Sequence, residues 1–116
     1  MNIIAYDLGT GGVKASLYDG EMRTLFKTFA PYPTAYPAPC MHEQRPEDWW
    51  NAVVSSTRSL VEGSGTDPSS IKALALSGHS LVTVPIDRDG RLLADSVPIW
   101  SDTRAGLEAE DFFTRI

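Results

Sequence analysis

Short alternating runs of apolar residues, each cut off by glycine, proline or aspartate, organise the first part of the chain. Asn2 to Tyr6 is an apolar run that stops at Asp7-Leu8-Gly9-Thr10-Gly11-Gly12. Val13, Ala15 and Leu17 then share one face at a period of two, the mark of a half-buried strand. Asp19-Gly20 is a two-residue hairpin signal, and beyond it Leu25, Lys27 and Phe29 alternate with Phe26, Thr28 and Ala30. The pattern predicts a three-stranded antiparallel meander. Pro31 to Arg45 mixes prolines with Tyr32, Tyr36 and Cys40 and reads as an ordered, extended crossing.

Pro46-Glu47-Asp48 opens a helix, because proline suits the first helical position and acids suit the positive end of the dipole. Trp50, Val53, Val54, Thr57, Leu60 and Val61 recur at helical spacing and are its expected buried stripe, with Gly63 and Gly65 as the stop. Asp67-Pro68 starts a turn, and Ile71 to Leu76 is expected as a central strand ending at Ser77-Gly78-His79-Ser80. Leu81 to Ile86 is expected as a further strand, at an edge or bulge because of Pro85, and Asp87-Arg88-Asp89-Gly90 closes it. Val97 to Trp100 is a short extended piece. Asp102 is expected to cap a last helix with Ala105, Ala109, Phe112, Phe113 and Ile116 on its apolar side. That helix reaches Ile116 without a stop signal, so an interrupted fold is expected.

Composition narrows the class. The chain has 116 residues, 42% hydrophobic and 22% charged, enough for one domain with a modest core. A net charge of −5 argues against a duplex nucleic acid partner, which needs a basic face to replace counterions. No run of about 18 apolar residues is present, so no membrane partner is expected. The single cysteine, Cys40, has no partner for an intrachain disulfide, and Met1-Asn2-Ile3-Ile4 enters the first strand without a charged leader. The expected location is cytoplasmic.

The chemistry gathers at Asp7-Leu8-Gly9-Thr10-Gly11-Gly12 and Lys14. Glycines let backbone N–H groups approach an anion, Thr10 adds a hydroxyl, Lys14 adds a point charge, and Asp7 can hold Mg2+ through water. A plain glycine-rich hairpin is the alternative. The segment lacks G-x-x-x-x-G-K-[ST], so it is no P-loop, and a strand follows where a Rossmann helix would start. Among common nucleotide folds this leaves the strand–glycine hairpin–strand arrangement of actin-like ATPases.

Tyr6-Asp7-Leu8-Gly9-Thr10-Gly11-Gly12-Val13-Lys14-Ala15 resembles the first phosphate motif of the FGGY carbohydrate kinases. Glu43-Gln44-Arg45-Pro46-Glu47-Asp48-Trp49-Trp50 resembles that family's E-Q-x-P-x-x-W-W segment. Ile71 to Gly78 resembles its I-x-x-I-x-x-S-G strand, and Trp100-Ser101-Asp102-Thr103-Arg104 its W-x-D-x-R stretch. The resemblance implies an α/β, actin-like ribonuclease-H-type fold, with residues 1–116 as the first part of the amino-terminal, sugar-binding domain. It implies transfer of the ATP γ-phosphate to a hydroxyl of a sugar, ketose or polyol, with ATP and Mg2+ as cofactors.

By the same resemblance, Asp7, Gly9, Thr10, Gly11, Gly12 and Lys14 are phosphate- or ATP-binding, with Asp7 near the metal. His79, Ser80, Trp100, Asp102 and Arg104 fall where relatives contact sugar. At His79-Ser80-Leu81 the chain departs from the G-Q-M-H of pentulose kinases and the N-Q-R-E of glycerol kinases, which removes the pointer to a particular substrate. The catalytic base and adenine site belong to the remainder of the kinase chain, and an unfinished sheet predicts self-association into a homodimer. Two alternatives stay open: another actin-like ATPase sharing only the phosphate hairpin, and a non-catalytic module that binds sugar or itself.

Overall fold

The computed structural model describes residues 1–116. β1 (Asn2–Leu8), β2 (Gly12–Tyr18) and β3 (Thr24–Pro31) form the antiparallel meander that the alternation predicts. Register places Ile4 opposite Leu17, Tyr6 opposite Ala15 and Leu8 opposite Val13, so one face of the sheet is continuously apolar. β4 is the two-residue strand Glu43–Gln44, and α1 spans Pro46–Ser64. A single 3-10 turn, Pro68–Ser70, capped by the Asp67 carboxylate, leads into β5 (Ile71–Gly78), which lies parallel to β1. The sheet order is β3-β2-β1-β5. A parallel neighbour needs a crossover, and α1 supplies it by packing on β2 and β3. The core joins Ile4, Tyr6, Val13, Ala15 and Leu17 to Tyr32, Ala52 and Leu60.

Several expectations change against this frame. The turn after β2 is longer than two residues: the Asp19 N–H donates to the Arg23 carbonyl, and the Asp19 carboxylate accepts the amides of Glu21 and Arg23 at 2.9 Å each. On α1 the buried residues are Ala52, Ser56 and Leu60, whereas Trp50 is 67% exposed. Small residues let the helix approach the sheet closely, and Trp50, Val53, Val54 and Thr57 instead line an apolar groove beside Leu74 and Leu76 of β5. Gly65, at φ 65°, is the left-handed cap; Gly63 lies inside the helix, where an added Cβ would sit 2.4 Å from the Phe26 ring.

Within this chain β5 pairs with β1 alone, and Leu74 and Leu76 are exposed. Leu81 to Ile86 forms no strand. Leu81 takes a left-handed φ of 57°, Pro85 has no N–H to give, and only Ile86 bridges to Leu92. β6 (Val97–Pro98) pairs antiparallel with β4. The last helix, α2, spans Gly106–Arg115, buries nothing, and begins beyond Asp102, which therefore caps no helix.

Gly12 is the one glycine of the Gly9–Gly12 segment that backbone geometry demands. Its φ is 154°, and an added Cβ would lie 2.5 Å from the Ala30 carbonyl oxygen, whereas nothing lies within 4 Å of one added at Gly11. Gly12→Ala is expected to cost ~2–4 kcal/mol in urea unfolding of this chain, and Gly11→Ala less than ~1 kcal/mol. Equal costs for the two would contradict the register assigned to β2 and β3.

Candidate functional site

The glycine segment closes between β1 and β2, with the Gly9 N–H donating to the Gly12 carbonyl at 3.0 Å. Behind it, donors reach three successive carbonyls. The Tyr32 hydroxyl donates to Gly9 O, the Gln44 side-chain amide donates to Thr10 O at 2.7 Å, and the Tyr32 N–H reaches Gly11 O at 3.4 Å. Gln44 is 2% exposed and fully engaged: Nε2 also donates to Thr34 Oγ1 at 2.7 Å, and Oε1 accepts the Trp49 indole N–H at 2.9 Å. Burial first, and the charge of Asp7 second, push the Tyr32 phenol up to about 12, so it stays a protonated donor at neutral pH.

Parallel pairing carries the second half of the site to the same place. Asp7 aligns with Ser77 and Leu8 with Gly78, so the loops after β1 and β5 leave the same end of the sheet. A Cβ at Gly78 would lie 2.7 Å from Leu8 Cβ and 3.1 Å from its carbonyl oxygen, which explains glycine at that crossing. The result is a cleft of ≈ 240 Å³ lined by Asp7, Leu8, Gly9, Thr10, Gly78, His79, Ser80 and Trp100. Asp7 is exposed, and its carboxylate takes no hydrogen bond or ion pair from the chain. The His79 ring packs 4.9 Å from Trp49 and 6.3 Å from Tyr32, with Nε2 buried and unpartnered. Burial lowers its pKa, so the imidazole is neutral at pH 7.

Trp100 approaches from a third direction and donates its indole N–H to Thr10 Oγ1 at 3.0 Å. The segment bearing it is strapped to β4: the Ile99 N–H donates to His42 O at 3.0 Å, and the His42 N–H donates to Asp102 Oδ2 at 2.7 Å. Arg104 forks onto both oxygens of Asp102 at 2.6–3.0 Å and reaches Glu43 Oε1 at 2.7 Å, while Glu43 Oε2 accepts the Ser96 hydroxyl at 2.7 Å. Arg104 holds the Asp102 carboxyl well below the usual range, and Asp102 in turn raises the guanidinium. Ser96 and then Arg104 lower Glu43 in the same way. Asp102 and Arg104 line a neighbouring cavity of ≈ 340 Å³ with Leu81, Pro98 and Trp100, their polar groups already engaged.

The cleft thus unites Asp7, Gly9, Thr10, His79, Ser80 and Trp100. Asp102 and Arg104 stand one cavity away. Lys14 lies across from Asp7 in the β1–β2 register, on the exposed side of β2 and outside the cleft lining. The largest groove, ≈ 610 Å³ between α1 and β5, is almost wholly apolar and lacks converging polar groups. Gln44, Tyr32 and Glu43 were not among the expected site residues. Glu43 and Gln44 stood in the sequence only as the opening of the E-Q-x-P-x-x-W-W segment, with no role attached, and Tyr32 as an aromatic residue within a proline-rich crossing.

The FGGY family of carbohydrate kinases, N-terminal domain, matches residues 2–113, and the chain belongs to that family. Its fold is the actin-like α/β fold of the family's solved members. The chain is 30% identical over 102 residues to a xylulose kinase of Bacillus subtilis, covering 88% of this chain and 20% of that protein. It is 27% identical over 109 residues to a glycerol kinase of Thermococcus gammatolerans, covering 94% and 22% respectively. The crystal structure of a "xyloylose kinase" from Brucella ovis superposes with a TM-score of 0.85 at 29% identity, over 100% of this chain and 25% of that one. The chain therefore spans about a fifth to a quarter of the length of these relatives.

The ion-pair cluster gives a pH dependence of definite sign. The Asp102 pKa is depressed in the folded state, so its contribution is fully present above the ordinary carboxylate value of about 3.9 and fades as pH falls below it. The Trp100 emission, taken as wild type minus Trp100→Phe, is expected to hold from pH 7 to about 4 and change below that. Asp102→Asn should show the altered emission already at neutral pH. An Asp102→Asn signal identical to wild type would show that the cluster does not hold Trp100.

Proposed function

We propose that this chain supplies the phosphate loop and one wall of the sugar pocket in an ATP-dependent carbohydrate kinase. That enzyme transfers the γ-phosphoryl group to a hydroxyl of a sugar, ketose or polyol. The observation that carries the reading is the convergence, at one end of the sheet, of an unpaired carboxylate (Asp7), a glycine segment with the Thr10 hydroxyl, and His79 with Trp100. Residues 1–116 are then the beginning of the first, sugar-binding domain. Relatives named xylulose kinase and glycerol kinase support the chemistry without selecting a substrate.

The residues divide the work by position. Gly9 and Gly12 shape the hairpin, the amides of Thr10, Gly11 and Gly12 face the transferred group, and Lys14 adds positive charge from β2. Asp7 fits Mg2+, since that ion takes one or two carboxylates, keeps several waters, and here meets an exposed carboxylate with no competing partner. When bound with ATP it neutralises phosphate charge. His79, neutral, offers Nδ1 to a substrate hydroxyl, Nε2 being buried; Ser80 adds a hydroxyl, and the Trp100 indole a face for sugar C–H groups. Asp102 and Arg104 border the sugar side through the strap.

The cleft of ≈ 240 Å³ is one wall of the proposed site. The base and the adenine site come from the remainder of the kinase chain, which is the principal partner. No helix is long and apolar enough to cross a membrane, and a cytoplasmic place of action accords with the use of ATP. The open edge of β5, with Leu74 63% and Leu76 70% exposed, favours a second reading for the isolated chain, self-association through that edge. Strict monomer mass by light scattering at high concentration would refute it.

Asp7→Ala in the intact kinase is expected to lower kcat about a hundredfold or more, with sugar affinity changing less than about threefold. Near-wild-type turnover would sink the phosphate-loop assignment. The 116-residue chain by itself should show no ATP- and sugar-dependent turnover in a coupled assay.

A further inference from the structure

We infer that Gln44 and Tyr32 are positioning residues that convert the glycine segment into an outward-facing set of amide donors; the inference rests on the phosphate-binding role proposed for that segment. A carbonyl and the N–H that follows it point to opposite sides of a trans peptide, and the chain has no cis peptide. Fixing a carbonyl therefore fixes the direction of the next N–H. Tyr32 Oη takes the Gly9 carbonyl, so the Thr10 N–H faces away from Tyr32. Gln44 Nε2 takes the Thr10 carbonyl at 2.7 Å, so the Gly11 N–H faces away from Gln44. The Tyr32 N–H takes the Gly11 carbonyl and orients the Gly12 N–H in the same sense.

Two further observations agree with this assignment. The N–H groups of Thr10 and Gly11, both exposed residues, take no partner within the chain and are open to a ligand from outside. Gln44 is 2% exposed, and both ends of its side chain are engaged, so its amide cannot rotate away from Thr10. A glycine-rich turn without this backing would sample peptide orientations with a carbonyl oxygen toward the anion, which repels it. Gln44 and Tyr32 remove those orientations from behind, without touching the phosphate themselves. The Trp49 indole ties the same glutamine to His79, so the two halves of the cleft share one support.

The test uses the intact kinase and two variants. Gln44→Glu keeps the shape and the acceptor for Trp49 but places a second acceptor beneath the Thr10 carbonyl. Tyr32→Phe keeps the ring and removes only the hydroxyl. For Gln44→Glu at pH 8, kcat is expected to fall roughly 10- to 100-fold, with the Kd for sugar by calorimetry within about twofold of wild type. As the pH is lowered toward about 6, activity relative to wild type should recover, because a buried Glu side chain that gains a proton can again donate to Thr10 O. Tyr32→Phe should show a smaller loss of kcat in the same sense, without the pH-dependent recovery.

Wild-type kcat in folded Gln44→Glu overturns the inference, as does a loss that is independent of pH and matched by lost sugar affinity. If Gln44→Glu does not fold, Tyr32→Phe decides, and an unchanged kcat there overturns it. Asp7→Ala separates the two levels. An inactive Asp7→Ala beside an unaffected Gln44→Glu removes only the role of Gln44, whereas full activity in both removes the phosphate-loop reading as well.

Discussion

Parallel pairing between β1 and β5 is the constraint on which the site depends. A hairpin cannot make it, so the chain must leave β3, cross over as α1, and return alongside β1 in register. Only in that register do Leu8 and Gly78 lie side by side, and only then do the loop carrying Thr10 and the loop carrying His79 open from one end of the sheet. Glycine at position 78 allows the close crossing, while the apolar face of β1 and β2 holds α1 in place by ordinary burial. The cleft is thus a product of topology first and side chains second.

Polar contacts then fix what topology brings together. Gln44 is buried with its amide satisfied, which avoids the ~1–3 kcal/mol that an unpaired buried polar group costs. The Arg104–Asp102–Glu43 cluster is only partly shielded, and its importance lies in geometry. A bidentate guanidinium restrains orientation better than a point charge, and here it pins the strap that presents Trp100 to Thr10. Ser56 and His79 hold the buried side-chain polar atoms that lack a partner. One lies within α1 and the other belongs to a residue that lines the cleft.

Sequence pattern was a good guide wherever a local rule was sufficient. The period-two faces of β2 and β3, Pro46 at the helix start and Gly65 at its end follow from propensity and capping alone. The glycine segment Gly9–Gly12 between its two flanking strands was legible for the same reason. What failed depended on distant partners. Trp50 fits the helical period as well as Ala52 does, yet the side facing the sheet is set by close approach, which small residues permit. Asp102 satisfies the rule for a helix cap and is instead taken by Arg104 and the His42 amide. Gln44 had no periodic signature, because its partners at Thr10 and Thr34 lie 34 and 10 positions away.

The hydrogen bond from Trp100 to Thr10 has a bearing on the order of assembly. It joins residues 90 positions apart, whereas the β1–β2 hairpin that contains Thr10 closes over a handful of residues. Closing a longer loop costs more chain entropy, and contacts of high sequence separation are gained late in folding. The hairpin can therefore be native while its threonine still lacks the indole. In kinetic terms the scaffold matures before the receptor does, and a refolding probe on β2 should reach its plateau ahead of one on Trp100.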